Sequence, residues 1–237
     1  MELPVFFAKG LGEKDSYFVL DANASRHCIV VLRRKAGDPV LLADGKGKKF
    51  SATITDDHWK KCTVSITAVE HIPEKLPRLN IAISFTKNSS RMEWFMEKAT
   101  EIGIQGIFPL QSARTEKDRF RAERFENILS AAMLQSRQFY LPALHEPASF
   151  EKLVQTNTPG QKFIAHCADG KKDFFLQRIQ AHKDALILIG PEGDFTAEEI
   201  ALALKNDFHP VSLGDNRLRT ETAGVVACAL LRAANAK

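Results

Sequence analysis

The chain has 237 residues, of which 44% are hydrophobic and 26% charged. Its 33 Lys and Arg against 29 Asp and Glu give a formal charge of +4 and a pI near 8.8. That length allows one large domain or a small one joined to a medium one, and the composition is that of an ordinary soluble globular protein with no run of about 18 apolar residues to span a bilayer. The charge permits a polyanionic partner without requiring one, since clustered Lys and Arg supply the sequence-independent part of nucleic-acid affinity.

Residues 1–72 read as β-rich. The amino terminus, Met1-Glu2-Leu3-Pro4-Val5-Phe6-Phe7, lacks the basic start and apolar core of a signal peptide, which points to a cytoplasmic location. Val40–Leu42 and Phe50–Ile54 form two strands joined by the turn Asp44-Gly45-Lys46-Gly47, and Cys62–Val69 alternates as a further strand should. A small β-barrel is expected. Arg33, Arg34 and Lys35, with Lys46, Lys48 and Lys49, give this part a local basic surplus suited to an RNA backbone. The segment 72–78, with two prolines and no periodicity, is the best linker in the chain.

From Leu79 strands alternate with helices, which predicts a parallel sheet covered by helices. Leu79–Phe85 is a strand; Ser90-Arg91-Met92-Glu93 is a capping box opening a helix with Met92, Phe95, Ala99 and Ile102 on one face; Gly103 ends it. Ile107–Leu110 is the next strand, and Phe125, Ile128, Leu129 and Ala132 mark a second helix face. A second basic group, Arg114, Lys117, Arg119, Arg121 and Arg124, is largely offset by Glu116, Asp118, Glu123 and Glu126. Later strands are Phe163–Ala165, Ala185–Ile189 and Val211–Leu213. Thr196-Ala197-Glu198-Glu199 is a second capping box, and Thr222–Ala234 an alanine-rich terminal helix.

Two loops carry the strongest signal. Ile189-Gly190-Pro191-Glu192-Gly193-Asp194-Phe195 and Leu213-Gly214-Asp215-Asn216-Arg217-Leu218-Arg219-Thr220-Glu221-Thr222-Ala223 each close an apolar run. At the ends of neighbouring strands they would form a small-molecule site from backbone, because glycine lets a ligand approach closely. Neither G-x-x-x-x-G-K-[ST] nor G-x-G-x-x-G occurs, so a phosphate cradle is not expected. Arg219 can stabilise charge developing on a substrate. Glu221 is a poor general base at a helix amino terminus, which favours the carboxylate, so its expected role is to orient Arg219. His166-Cys167-Ala168-Asp169-Gly170 is a third loop wall. Cys28, Cys62, Cys167 and Cys228 show no C-x-x-C spacing, which argues against a zinc knuckle or redox dithiol; no metal is expected, and buried thiols in a reducing compartment are.

Taken in order, these motifs resemble the RsmE family, uridine-N3 methyltransferases of 16S ribosomal RNA in the SPOUT class. The pattern runs through His27, Val31-Leu32-Arg33 and Asp44-Gly45, then Lys87, Arg91 and Lys98-Ala99-Thr100-Glu101-Ile102-Gly103. It continues through Ala131-Ala132-Met133-Leu134-Gln135-Ser136-Arg137 to the two loops. Asp194 stands where the family usually has glycine, Asn216 where arginine is frequent, and Leu134 where glutamate is common. The resemblance implies an α/β chain with a PUA-like β-barrel at 1–72 and a SPOUT domain at 73–237 containing a trefoil knot. It implies S-adenosylmethionine held by His166, Ile189, Gly190, Gly193, Leu213, Gly214, Leu218 and Thr220, and catalytic roles for Arg219 and Glu221. RNA contacts fall to His27, Arg33, Arg34, Lys87, Arg91 and Arg137.

The family also implies a homodimer acting on 16S ribosomal RNA, with the assembled small subunit the expected substrate, since one barrel and a modest basic surplus are too little to select one uridine. The alternatives are a ribosome-assembly RNA-binding protein without catalysis and a SPOUT enzyme that methylates a ribose 2′-hydroxyl.

Overall fold

Alternating apolar residues, a glycine turn and a change to strand–helix alternation after Leu79 organise the chain as its sequence predicts. The computed structural model describes residues 3–116, 120–156 and 158–236. Lys117, Asp118 and Arg119 of the second basic group lie outside the described residues. Two compact units result, Met1–Glu74 with Met133–Leu141, and Lys75–Ala132 with Pro142–Lys237.

The first unit contains β1 (Val5–Phe7), β2 (Tyr17–Val19), α1 (Ala22–Arg26) running into a wide helical turn at His27–Val31, β3 (Pro39–Ala43), β4 (Lys48–Asp56) and β5 (Thr63–His71). The expected hairpin is β3–β4, paired Val40↔Ala52 and Leu42↔Phe50. Its turn is held by Asp44, whose Oδ1 accepts from the backbone N–H of Lys46 at 2.7 Å and of Lys48 at 3.0 Å. Gly45 and Gly47 there have φ of 76° and 93°, which side chains rarely adopt. The strand order is β1-β3-β4-β5-β2. Among the described residues this is a mixed sheet whose two end strands, β1 and β2, are three residues each and are not paired with one another. Phe6, Leu20, Val40, Leu42, Phe50, Ile54 and Val64 pack one core with Cys28 and Cys62. Burial pushes the Cys62 thiol up to about 12.

The second unit begins with β6 (Leu79–Ser84), α2 (Ser89–Ile102) and β7 (Gly106–Gln111). It continues from α3 (Ala122–Gln135), which starts within it, through β8 (Ala143–Leu144), β9 (Ala148–Ser149) and α4 (Phe150–Gln155). Then come β10 (Gln161–Ala165), β11 (Asp173–Phe174), α5 (Phe175–Arg178), β12 (Ala185–Ile189), α6 (Ala197–Lys205), β13 (His209–Ser212) and α7 (Thr220–Ala234). Its sheet runs β11-β13-β10-β12-β6-β7-β8, with β9 also on β7, and every pairing is parallel. All of β12 is buried, as a strand covered on both faces must be.

Helix signals are confirmed at two ends and corrected at two. Thr196 and Glu199 form the reciprocal capping box of α6, at 3.2 and 2.9 Å, and Gly103 closes α2 with φ 94°. The cap of α2 is Asn88 rather than Ser90, its side chain accepting from Arg91 N–H at 3.3 Å. Glu93 is unavailable for a box because Arg124 takes both its oxygens, at 2.6 and 2.8 Å, which holds its carboxyl below the usual range. Helix α7 starts at Thr220, two residues before its expected beginning. Its inner face packs on α2 and β6 so closely that a Cβ on Gly224 would lie 2.7 Å from Phe95 and 2.8 Å from Ile83. At the far end of this contact Arg232 donates to the carbonyls of Ile102 (3.3 Å) and Gly103, where the carbonyl end of α2 favours a cation.

Candidate functional site

Parallel strands put all their carboxyl ends on one edge of the sheet, where loops collect. Strands β13, β10 and β12 are consecutive in it. The two glycine-bearing loops therefore do not leave neighbouring strands: β10 lies between them and supplies the third wall at His166 and Cys167. The register with β10 also explains why β13 is His209–Ser212 rather than 211–213, since His209 pairs with Phe163 and Val211 with Ala165. Beyond it the Ser212 hydroxyl accepts from Gly214 N–H at 3.1 Å and donates to Gly214 O at 3.0 Å, and Gly214 takes φ 127°.

The three loops enclose a cavity of about 400 Å³. His166, Ile189, Gly190, Leu213, Gly214, Leu218 and Thr220 line it, with Val211 and Ala223 on its apolar side. Gly193 does not, and instead its carbonyl accepts from the Arg114 guanidinium at 2.5 Å. Side chains tie the walls together. Thr220 donates to Gly190 O at 3.1 Å, Arg217 to Glu192 O at 3.1 Å, and Asp194 accepts from Cys167 N–H at 2.7 Å.

Asp194 has φ 61°, so the residue that replaces the family's usual glycine keeps the left-handed backbone and adds a bridge from the β12 loop to the β10 loop. His166 Nδ1 is buried without a hydrogen-bond partner among the described residues. Burial, with Lys172 assisting and Asp194 opposing, pulls the His166 imidazole below its ordinary value, keeping it neutral. Cys167 is exposed, against the expectation of a buried thiol, because it follows β10 into the loop.

The charged pair departs from expectation. Arg219 is the amino-terminal cap residue of α7 and exposed. Glu221 is 6% exposed, and its Oε1 lies 3.6 Å from Arg91 Nε on α2, so it pairs with Arg91 rather than Arg219. Neither Arg219 nor Glu221 lines the cavity. Lys87 is exposed and paired with Glu116 at 3.1 Å. In the first unit His27 sits edge-on to Phe6, Arg33 is exposed with φ 55°, Arg34 is half-buried, and Arg137 is exposed with φ 55°. Sequence reasoning missed the bridging roles of Asp194 and Arg114, for which a departure from a family glycine was the one available hint. Among the described residues no three His, Cys, Asp or Glu gather as a metal site requires, and no helix is long and apolar enough to cross a membrane.

A parallel sheet whose loops shape such a cavity defines the class here: residues 73–232 match the family model of the RNA methyltransferase domain. The chain is 30% identical to ribosomal RNA small subunit methyltransferase E of Synechocystis, over 86% of this chain and 68% of that protein. Its fold is similar to the "probable rRNA-methyltransferase" of Porphyromonas gingivalis, with TM-score 0.90 and 38% identity over 98% of this chain and 99% of that one. It is also similar to ribosomal RNA small subunit methyltransferase E of Neisseria gonorrhoeae bound to S-adenosyl methionine. There the TM-score is 0.83 and the identity 26%, over 98% of each chain. The chain belongs to the ribosomal RNA small subunit methyltransferase E family.

Proposed function

We propose that this chain transfers the methyl group of S-adenosylmethionine to N3 of a uridine in the 16S ribosomal RNA of the small subunit. The observation that carries the reading is the cavity at the ends of β13, β10 and β12, in a chain whose relatives include one solved with that cofactor. The residues fit it. Ile189, Val211, Leu213, Leu218 and Ala223 offer an apolar side, the glycine-bearing loops offer backbone groups, and His166 Nδ1 is a polar atom without a partner. His166, Ile189, Gly190, Leu213, Gly214, Leu218 and Thr220 would hold the group, with Gly193 behind them braced by Arg114.

The cofactor supplies a methyl group already activated on its sulfonium. What remains for the protein is to position an unpaired uracil, whose N3 lies on the Watson–Crick edge, and to favour loss of the imide proton. Arg219 takes the role of meeting a uracil carbonyl oxygen where charge accumulates, a reading supported by its exposure between the cavity's Leu218 and Thr220. Glu221 acts on Arg91, so both belong to the support of this region. The same reading takes the first unit as a PUA-like RNA-binding module using His27, Arg33, Arg34 and Arg137, the carboxy-terminal loops as a trefoil knot, and the working form as a homodimer on the assembled subunit.

The test is transfer of labelled methyl from S-adenosylmethionine to small subunits that lack the mark, compared with deproteinised 16S RNA. Label in the particle, at a nucleotide that still undergoes alkaline cleavage on its 3′ side, is the expected result. An alkali-resistant site would mean ribose methylation, and no label on competent subunits would mean a binding protein.

A further inference from the structure

A second cavity of about 400 Å³ lies in the same unit, at the carboxyl ends of β6 and β7. It shares no lining residue with the first. We infer that it is a pocket for one unstacked RNA base that neighbours the acceptor nucleotide. This inference rests on the RNA-methyltransferase reading above.

Its wall is aromatic on one side. Phe85, Phe120 and Phe125 stand in mutual contact, with ring centroids 5.3–5.7 Å apart. Phe85 and Phe120 are half-buried and Met92, Leu110 and Pro147 complete the apolar lining. Single-stranded bases stack on such platforms because every base has a π-face. The other side is polar: Ser112 and Thr115 share a hydroxyl contact at 2.8 Å, and the Thr86 hydroxyl is buried without a hydrogen-bond partner among the described residues. A volume of this size is at the scale of small-ligand sites, about 300–1,000 Å³.

The charges select an anion-bearing ligand. Both carboxylates of the wall are already met by cations, Glu93 by Arg124 at 2.6 Å and Glu116 by Lys87 at 3.1 Å. Arg121 also lines the cavity and helps Arg124 lower the Glu93 carboxyl, so two guanidiniums and the Lys87 ammonium stand against the two carboxylates. An aromatic floor, hydroxyls and a guanidinium suit base and phosphate together.

Position excludes the acceptor base itself. Strand β6 pairs with β12, so the two cavities share the carboxyl edge of one sheet. At about 4.8 Å per strand their centres are roughly 12 Å apart along it. Methyl transfer needs reacting atoms about 3–3.5 Å apart, so a base held here is a near neighbour of the acceptor on the same strand. Splaying it out would help keep the acceptor unpaired.

The experiment uses protein saturated with S-adenosylhomocysteine, so that nucleotides cannot report from the first cavity. Uridine, cytidine, adenosine and guanosine 5′-monophosphates are titrated while the labelled methyl of Met92, which lines the second cavity, is followed by NMR with Met133 as control. Saturable movement of Met92 with at least one nucleotide is expected. Phe120→Leu should weaken it at least about fivefold, and Phe120→Tyr should restore it, because the aromatic face and not bulk is required. In turnover, Phe120→Leu should raise KM for RNA and leave S-adenosylhomocysteine affinity unchanged. No movement with any nucleotide, equal affinity in Phe120→Leu, or a response only to an apolar amino-acid amide would overturn the inference. Failure of the protein to bind S-adenosylhomocysteine would count against the function proposed above and not against this readout.

Discussion

Glu221 on α7 and Arg91 on α2 form an ion pair 3.6 Å apart in which the carboxylate is buried, the guanidinium is half-buried, and Glu221 Oε2 has no hydrogen-bond partner among the described residues. Arg91→Ala should therefore destabilise the protein by about 1–3 kcal/mol, since it strands a buried charge. Adding Glu221→Gln should recover part of that loss. Urea denaturation of the two single variants and the double variant checks it; additive losses would mean that the residues act separately.

Gly224 is the close-approach point of α7. Gly224→Ala gains helix propensity but drives a methyl into Phe95 and Ile83. Overpacking should win, for a net loss of about 1–3 kcal/mol, read as a lowered urea midpoint with unchanged slope.

Arg219→Ala should lower kcat roughly 100- to 1,000-fold, the usual cost of removing one donor from developing negative charge. S-adenosylhomocysteine affinity, measured by calorimetry, should stay within a factor of two or so, because Arg219 does not line the cavity. Normal turnover with intact fold would remove Arg219 from the chemistry.

Asp194 separates two effects in one position. Both Asp194→Gly and Asp194→Ala delete the bond to Cys167 N–H, worth about 0.5–1.5 kcal/mol, and both should weaken cofactor binding. Only alanine keeps a side chain at φ 61°, so it should be the less stable of the two by about 1 kcal/mol. The reverse order in thermal melts would contradict this account of the loop.

Burial depresses His166, and the stack on Phe108, with centroids 3.8 Å apart, shields one face of the otherwise exposed His145 and lowers it in the same direction. The folded state then binds fewer protons than the unfolded one as pH falls through the ordinary imidazole value, about 6.5, so stability is lost there and levels off below the depressed values. His145→Gln should flatten that slope in melts between about pH 5 and 8. An unchanged slope would place the titration elsewhere.

The fold was legible where periodicity and punctuation speak locally: the β3–β4 hairpin, the alternation after Leu79, the Gly103 stop and the Thr196 box. Seven of the eight residues expected to hold the cofactor line one cavity because parallel strands force their loops to one edge, whereas Gly193 lies outside its lining, on Arg114. What sequence spacing could not reveal was strand order, which sets β10 between the two glycine-bearing loops. Nor could it reveal the long-range choices of charged groups. Glu93 turns to Arg124 and Glu221 to Arg91 because those partners arrive from other helices, leaving Asn88 to cap α2. Phe125 read only as one position of a helix face, and Phe85 and Phe120 come beside it only in the fold.

The most direct test of the central claim is nucleoside mass spectrometry of small subunits lacking the mark, after incubation with this protein and S-adenosylmethionine. Appearance of 3-methyluridine, slowed roughly 100- to 1,000-fold with Arg219→Ala, is the predicted result. A different methylated nucleoside, or none on competent subunits, would contradict it.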